Sequence, residues 1–181
     1  MSTDLAELRD SPYLALAELE ADVRAARVDV VAGQASVWVG LGFRLRDVWC
    51  VTPREDVREV ITLPRLTRVP AAKPWLTGVA NVRGNLLPVT DLGELLGMPR
   101  ITTARPNRVL VLNSDRIPAG FLVDEVVGYR QFVPSDQRHE LTASAPELAP
   151  YVLGGFSRDN RSWLVVSLRR LAASPIFTSA G

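Results

Sequence analysis

From Val37 to Leu45 every odd position is apolar, while the even positions hold Trp38, Gly40, Gly42 and Arg44. This period of two predicts a half-buried strand, because successive side chains of an extended chain leave on opposite faces. Arg46-Asp47 turns the chain into a second strand, Val48 to Val51, and Pro53 ends it because it has no amide hydrogen to offer a ladder. Similar runs predict strands at Glu55 to Thr62, Arg108 to Leu112, Ala119 to Val123, Val126 to Val133, Gly154 to Arg158 and Ser162 to Val166. The chain therefore reads as mostly β. One long helical pattern stands apart, over residues 4 to about 27. Ser11-Pro12 opens it with a capping hydroxyl and a proline at the first helical position, and Leu16, Leu19, Val23 and Ala26 share one face.

The segment Gly78 to Leu96 is the most structured in its signals. Gly78 to Arg83 predicts a strand, Gly84-Asn85 supplies residues that accept positive φ, and Leu86 to Val89 resumes the apolar run. Asp91 stands at an N-cap position, and Glu94 completes capping-box spacing around Leu92, Leu95 and Leu96. A displacement of 76 residues without gaps lays Gly154 to Leu171 on Gly78 to Leu95, with Ser167 falling on Asp91 as a second N-cap. Leu168 and Leu171 then fall on Leu92 and Leu95. Identities in this echo are few, so a duplicated unit and two unrelated hairpins of similar length both account for it.

Composition narrows the function. A hydrophobic content of 47% in 181 residues suits a globular fold, and a net charge of +1 gives no overall attraction to nucleic acid or an anionic membrane. Cys50 is the sole cysteine, which excludes an intramolecular disulfide and suits a small buried side chain. No apolar run spans a bilayer, and Asp4 and Glu7 interrupt the region a signal peptide would need, so a cytoplasmic protein is expected. Catalytic groups are sparse. His139 lies among charged residues as a solvent-facing imidazole, and Asp124-Glu125 alternates across a strand and does not converge. Gly40-Leu-Gly42 lacks the rest of a dinucleotide loop. No enzyme activity, metal or cofactor is predicted.

The pattern Gly-Val-x-Asn-x-Arg-Gly-x-x-x-Pro-Val-x-Asp-Leu, carried by Gly78, Asn81, Arg83, Gly84, Pro88, Val89, Asp91 and Leu92, resembles the signature of the CheW-like adaptor domains of bacterial chemosensory arrays. The resemblance continues through Asp56 to Val60, Arg108 to Leu112, Ala119 to Gly128 and Trp163 to Ser167. Within the family, the Trp38 to Arg44 opening looks most like the branch that controls type IV pili and twitching motility. The resemblance implies two packed five-stranded SH3-like β-barrel lobes with short helices. Residues 34–174 would form that domain, 1–33 an N-terminal helical extension and 175–181 a C-terminal tail. It also resolves the echo as the same hairpin and helix in each lobe.

As function, the resemblance implies an adaptor at membrane-associated arrays. It would join the regulatory domain of a CheA-type histidine kinase to the cytoplasmic tip of a methyl-accepting chemoreceptor, without binding nucleic acid or entering the membrane. Positions matching places of partner contact are Val57, Glu59, Arg83, Val109, Leu110 and Tyr129. Arg83 could pair with Glu59 or meet a receptor carboxylate. Gly78, Asn81, Gly84, Pro88, Asp91 and Gly120 match structural positions of the signature. The alternatives are a flagellar chemotaxis adaptor of the same fold, and a small ligand-binding β-barrel or enzyme, which would need a pocket with convergent polar groups.

Overall fold

Eleven strands and three short α-helices, with 3-10 turns between some of them, follow one another in a computed structural model that describes residues 37–99, 107–138 and 145–178. The strands are β1 (Trp38–Leu45), β2 (Val48–Pro53), β3 (Val57–Thr62), β4 (Leu76–Val82), β5 (Asn85–Asp91), β6 (Arg108–Leu112), β7 (Gly120–Val123), β8 (Glu125–Phe132), β9 (Gln137–Arg138), β10 (Val152–Arg158) and β11 (Arg161–Val166). Helix α1 (Leu92–Leu95) follows β5, and α2 (Leu168–Ala172) and α3 (Pro175–Thr178) follow β11. The predicted N-terminal helix and His139 lie outside the described residues.

The strands form two sheets, one of six in the order β8-β1-β2-β11-β10-β9 and one of five in the order β3-β6-β7-β5-β4. This corrects the expectation of two five-stranded barrels. Neither sheet closes, since β3 makes no ladder with β4, nor β8 with β9 or β10. Other contacts span the gaps. In the five-stranded sheet, Thr67 from the β3–β4 connection exchanges two backbone bonds of 2.8 Å with Val79 on β4. Arg83 Nη2, at the β4–β5 turn, reaches Glu59 Oε2 on β3 at 2.8 Å. In the six-stranded sheet, Phe132 on β8 stacks on Phe156 on β10 with ring centroids 4.4 Å apart. Each sheet thus curls until its edges approach, and side chains bridge the remaining gap.

The 76-residue echo has a structural counterpart. Hairpins β4–β5 and β10–β11 both carry a register shift at their start, between Leu76 and Gly78 and between Val152 and Gly154. Both turn on two residues of positive φ, Arg83-Gly84 and Asp159-Asn160. The first turn therefore falls one residue earlier than the glycine-asparagine pair suggests. Asn81 Oδ1 accepts the Gly84 amide at 2.9 Å, which fixes that turn, and Asn85 joins β5. The amides of Asp91 and Ser167 donate to the carbonyls of Trp75 and Tyr151, each at 2.9 Å.

Beyond its hairpin, each sheet continues through a parallel neighbour, β5 to β7 and β11 to β2, and then two antiparallel strands. In this correspondence β1 and β2 stand where β6 and β7 stand. The first two strands of the chain therefore complete the sheet built by its C-terminal half.

Three apolar clusters hold this arrangement. The largest gathers Phe43, Leu45, Leu110, Phe121, Leu164 and Leu168 with other side chains of both sheets and the helices. The second lies against the five-stranded sheet around Val89, Val109 and Leu122, and the third against the six-stranded sheet around Val51, Phe132, Trp163 and Val165. Alternate residues of β6 and β11 serve different clusters, so these strands are covered on both faces. The same holds for part of β1, where Gly40 and Gly42 are buried as well as Leu41 and Phe43. Cys50 is buried in the main cluster, where desolvation pushes its thiol pKa up. Phe177 of α3 lies 5.5 Å from Phe121 and 6.1 Å from Trp75, so packed structure extends into the expected tail.

Candidate protein-binding site

The signature residues divide into a frame and a surface. In the frame, Asp91 caps α1 by accepting the Glu94 amide at 3.0 Å, as Ser167 caps α2 by accepting the Arg170 amide at 3.2 Å. Pro88 sits opposite Val79 in β5, where both backbone groups of Val79 turn away to Thr67. Pairing of β5 with β7 begins one residue later, at Val89, so the missing amide hydrogen of Pro88 breaks no ladder bond. Gly78 has φ 156°, and a Cβ there would come 2.7 Å from the Thr67 carbonyl oxygen. At Gly120 a Cβ would come 2.7 Å from Val109 Cγ1. Both glycines allow close packing that a side chain would block.

The surface residues are dispersed. Glu59 and Arg83 meet at the seam of the five-stranded sheet, with Glu59 partly buried and the Arg83 side chain 77% exposed. Val57, at the start of β3, is half-buried against the main core. Tyr129 is exposed on β8 of the other sheet, with the Arg54 guanidinium 5.5 Å from its ring centroid. Val109 and Leu110 have no exposed surface, and each packs in a different cluster. They support the fold around the seam and present nothing to a partner in this conformation.

A buried polar group joins the two sheets. Arg46, in the β1–β2 turn, directs Nη1 to Asp124 Oδ1 at 2.9 Å and Nη2 to Asp91 Oδ1 at 3.0 Å, and Nε donates to the Pro99 carbonyl at 2.7 Å. Its own amide donates to Asp124 Oδ2. Asp124 and Glu125 therefore have separate partners, Arg46 and Arg44. Across the junction, Asp56 Oδ2 accepts the Ser167 hydroxyl at 3.2 Å and the Arg169 amide at 3.3 Å, and Oδ1 lies 3.3 Å from Arg169 Nε. Burial raises the Asp56 pKa, while the bonds and charge from Arg169 and the Ser167 bond act in the opposite direction. Sequence reading misses Arg46 because an arginine in a turn reads as solvated. Its available signal is Gly93, where a Cβ would overlap the Arg46 guanidinium.

Among the described residues, no group of three or more histidine, cysteine, aspartate or glutamate side chains is arranged to hold a metal ion, and no helix is long and apolar enough to cross a membrane.

Capped hairpins are repeated in two open sheets, and comparison with known proteins assigns the class of this fold. The CheW-like domain model matches residues 39–175, and the chain belongs to this family of chemosensory adaptors, which act without catalysis. Members of the family generally bridge chemoreceptors and CheA kinases. The particular likeness is to protein PilI of Pseudomonas aeruginosa, 37% identical over 164 residues, covering 90% of this chain and 92% of that protein. Chemotaxis protein CheW of Thermotoga maritima is 31% identical over 74 residues, 41% of this chain and 48% of that one. In three dimensions, the scaffolding protein TtCheW from Thermoanaerobacter tengcongensis superposes with a TM-score of 0.64 at 19% identity, covering 77% of this chain and 95% of that one, which marks a shared fold.

Proposed function

We propose that this protein joins the cytoplasmic tip of a methyl-accepting chemoreceptor to the regulatory domain of a CheA-type histidine kinase, in an array that controls type IV pili and twitching motility. The supporting observation is the 37% identity with PilI over 90% of the chain, a span that includes the whole signature hairpin and its capped helix. The adaptor acts in the cytoplasm, at arrays held on the membrane by the receptors. Individually weak contacts suffice there, because partners tethered in one lattice meet at high effective concentration. Val57, Glu59 and Arg83 form the contact edge on the five-stranded sheet and Tyr129 that on the six-stranded sheet, with Val109 and Leu110 supporting them from within.

Calorimetric titration of the full chain with the kinase regulatory domain, and separately with the receptor hairpin tip, tests this reading. Saturable binding to both is expected. A folded protein that binds neither would overturn the adaptor assignment. Pilus rather than flagellar output is tested by deleting the gene and scoring twitching and swimming side by side, with loss confined to twitching expected.

A further inference from the structure

A cavity of about 400 Å³ opens on the six-stranded sheet, between residues Tyr129 to Phe132 of β8 and Arg158, Arg161 and Trp163 of the β10–β11 hairpin, with Asp159 of the hairpin turn as its one acidic lining residue. Three arginines line it, and each packs against a different neighbour. The stem of Arg130 lies over Gly42, where a Cβ would come 3.0 Å from Arg130 Cγ. Arg158 donates from Nη1 to the Gln131 carbonyl. The Arg161 guanidinium sits 4.5 Å from the Trp49 ring centroid, and Trp49 in turn lies 5.4 Å from Trp163.

These charges are poorly neutralised. Asp136 and Asp159 approach Arg158 only to 3.9 and 4.0 Å, and among the described residues Arg130 and Arg161 have no carboxylate within ion-pairing distance. The Arg158 and Arg161 guanidinium groups are already held in place and lose little freedom when an anion arrives, so more of the interaction appears as affinity. The lining is mostly polar and the mouth is open, which does not suit an apolar ligand. Guanidinium forks match carboxylates in plane and spacing. Arg130 reaches the cavity from β8, and Arg158 and Arg161 from the facing hairpin, so cationic groups border it on two sides.

We infer that this cavity docks a carboxylate-rich segment of a partner protein, with Arg130 and Arg161 as its principal anchors. Clusters of arginine on a small β-domain recognise acidic motifs in this manner. The site is distinct from the Glu59–Arg83 seam but borders Tyr129 of the proposed contact edge, and its binding of an acidic peptide can be read with neither kinase nor receptor present.

The test is a fluorescence titration of the full chain, whose four tryptophans include Trp49 and Trp163 at the site, with a capped hexaglutamate peptide and with hexaglutamine as the neutral control. Saturable binding of hexaglutamate alone is expected, weakened about tenfold by Arg130→Gln and by Arg161→Gln, with melting temperatures unchanged. Rising salt should weaken it further. Absence of saturable binding, or equal binding by wild type and both variants, overturns the inference. Inorganic pyrophosphate that binds as tightly and displaces the peptide also overturns it, by identifying a small-anion site.

Discussion

Arg46 lies with its guanidinium pressed over Gly93, in space that exists only because position 93 has no side chain. The β1–β2 turn of one sheet thereby locks onto the first turn of the helix that leaves the other, with Asp91 and Asp124 accepting from the two terminal nitrogens. Arg46→Ala strands the nearly buried Asp124 carboxylate, so a loss of about 3 kcal/mol is expected in urea denaturation.

Gly93→Ala evicts the same guanidinium from the opposite side. A comparable loss is expected, and because both changes remove one contact, the Arg46→Ala/Gly93→Ala double variant should lose less than the sum of the two. Additive losses would mean that the two positions act independently.

The Arg83 side of the Glu59–Arg83 pair is mostly solvated, so the pair should add about 1 kcal/mol or less to stability. Arg83 also holds φ 52°, which glycine adopts without steric cost. Arg83→Gly is therefore expected to leave the thermal melt unchanged or slightly raised, while weakening partner affinity in the calorimetric assay. Undiminished affinity would remove Arg83 from the contact edge.

Val109 and Leu110 behave differently because they are fully buried. Leu110→Ala should cost about 2–5 kcal/mol, and Val109→Ala a smaller but clear amount. Any loss of partner binding in these variants should track the unfolded fraction, as measured by circular dichroism at the assay temperature.

Asp56 introduces a pH dependence. Its folded-state pKa is raised, so between the ordinary aspartate value and the raised one the folded protein keeps a proton that the unfolded chain has released. Stability from this site is therefore full below that window and falls as pH rises through it. Asp56→Asn should flatten this part of the stability profile in denaturant melts across acidic pH.

Much of the local structure is readable directly. β6 has the predicted bounds, Arg108 to Leu112, and the capped hairpins repeat at the predicted displacement, because turn chemistry, capping and period are properties of neighbouring residues. The uninterrupted Val-Leu-Val-Leu of that strand also carries the signal that both its faces are covered. Sheet membership and closure are less legible. The parallel pairing of Cys50 with Leu164 joins residues far apart in the chain, and nothing near either residue specifies it. The gap between β3 and β4 likewise depends on how far a whole sheet curls, which no short pattern encodes.

The placement of β1 and β2 within the C-terminal sheet also sets an order of events during synthesis. The five-stranded sheet has all its strands once β7 leaves the ribosome, but β1 and β2, made before any of them, meet β11 only after that whole sheet has been synthesised. The β1–β2 hairpin must keep an unpaired edge until β11 arrives, so a cut after β7 would leave the five-stranded sheet its full set of strands but divide the six-stranded one.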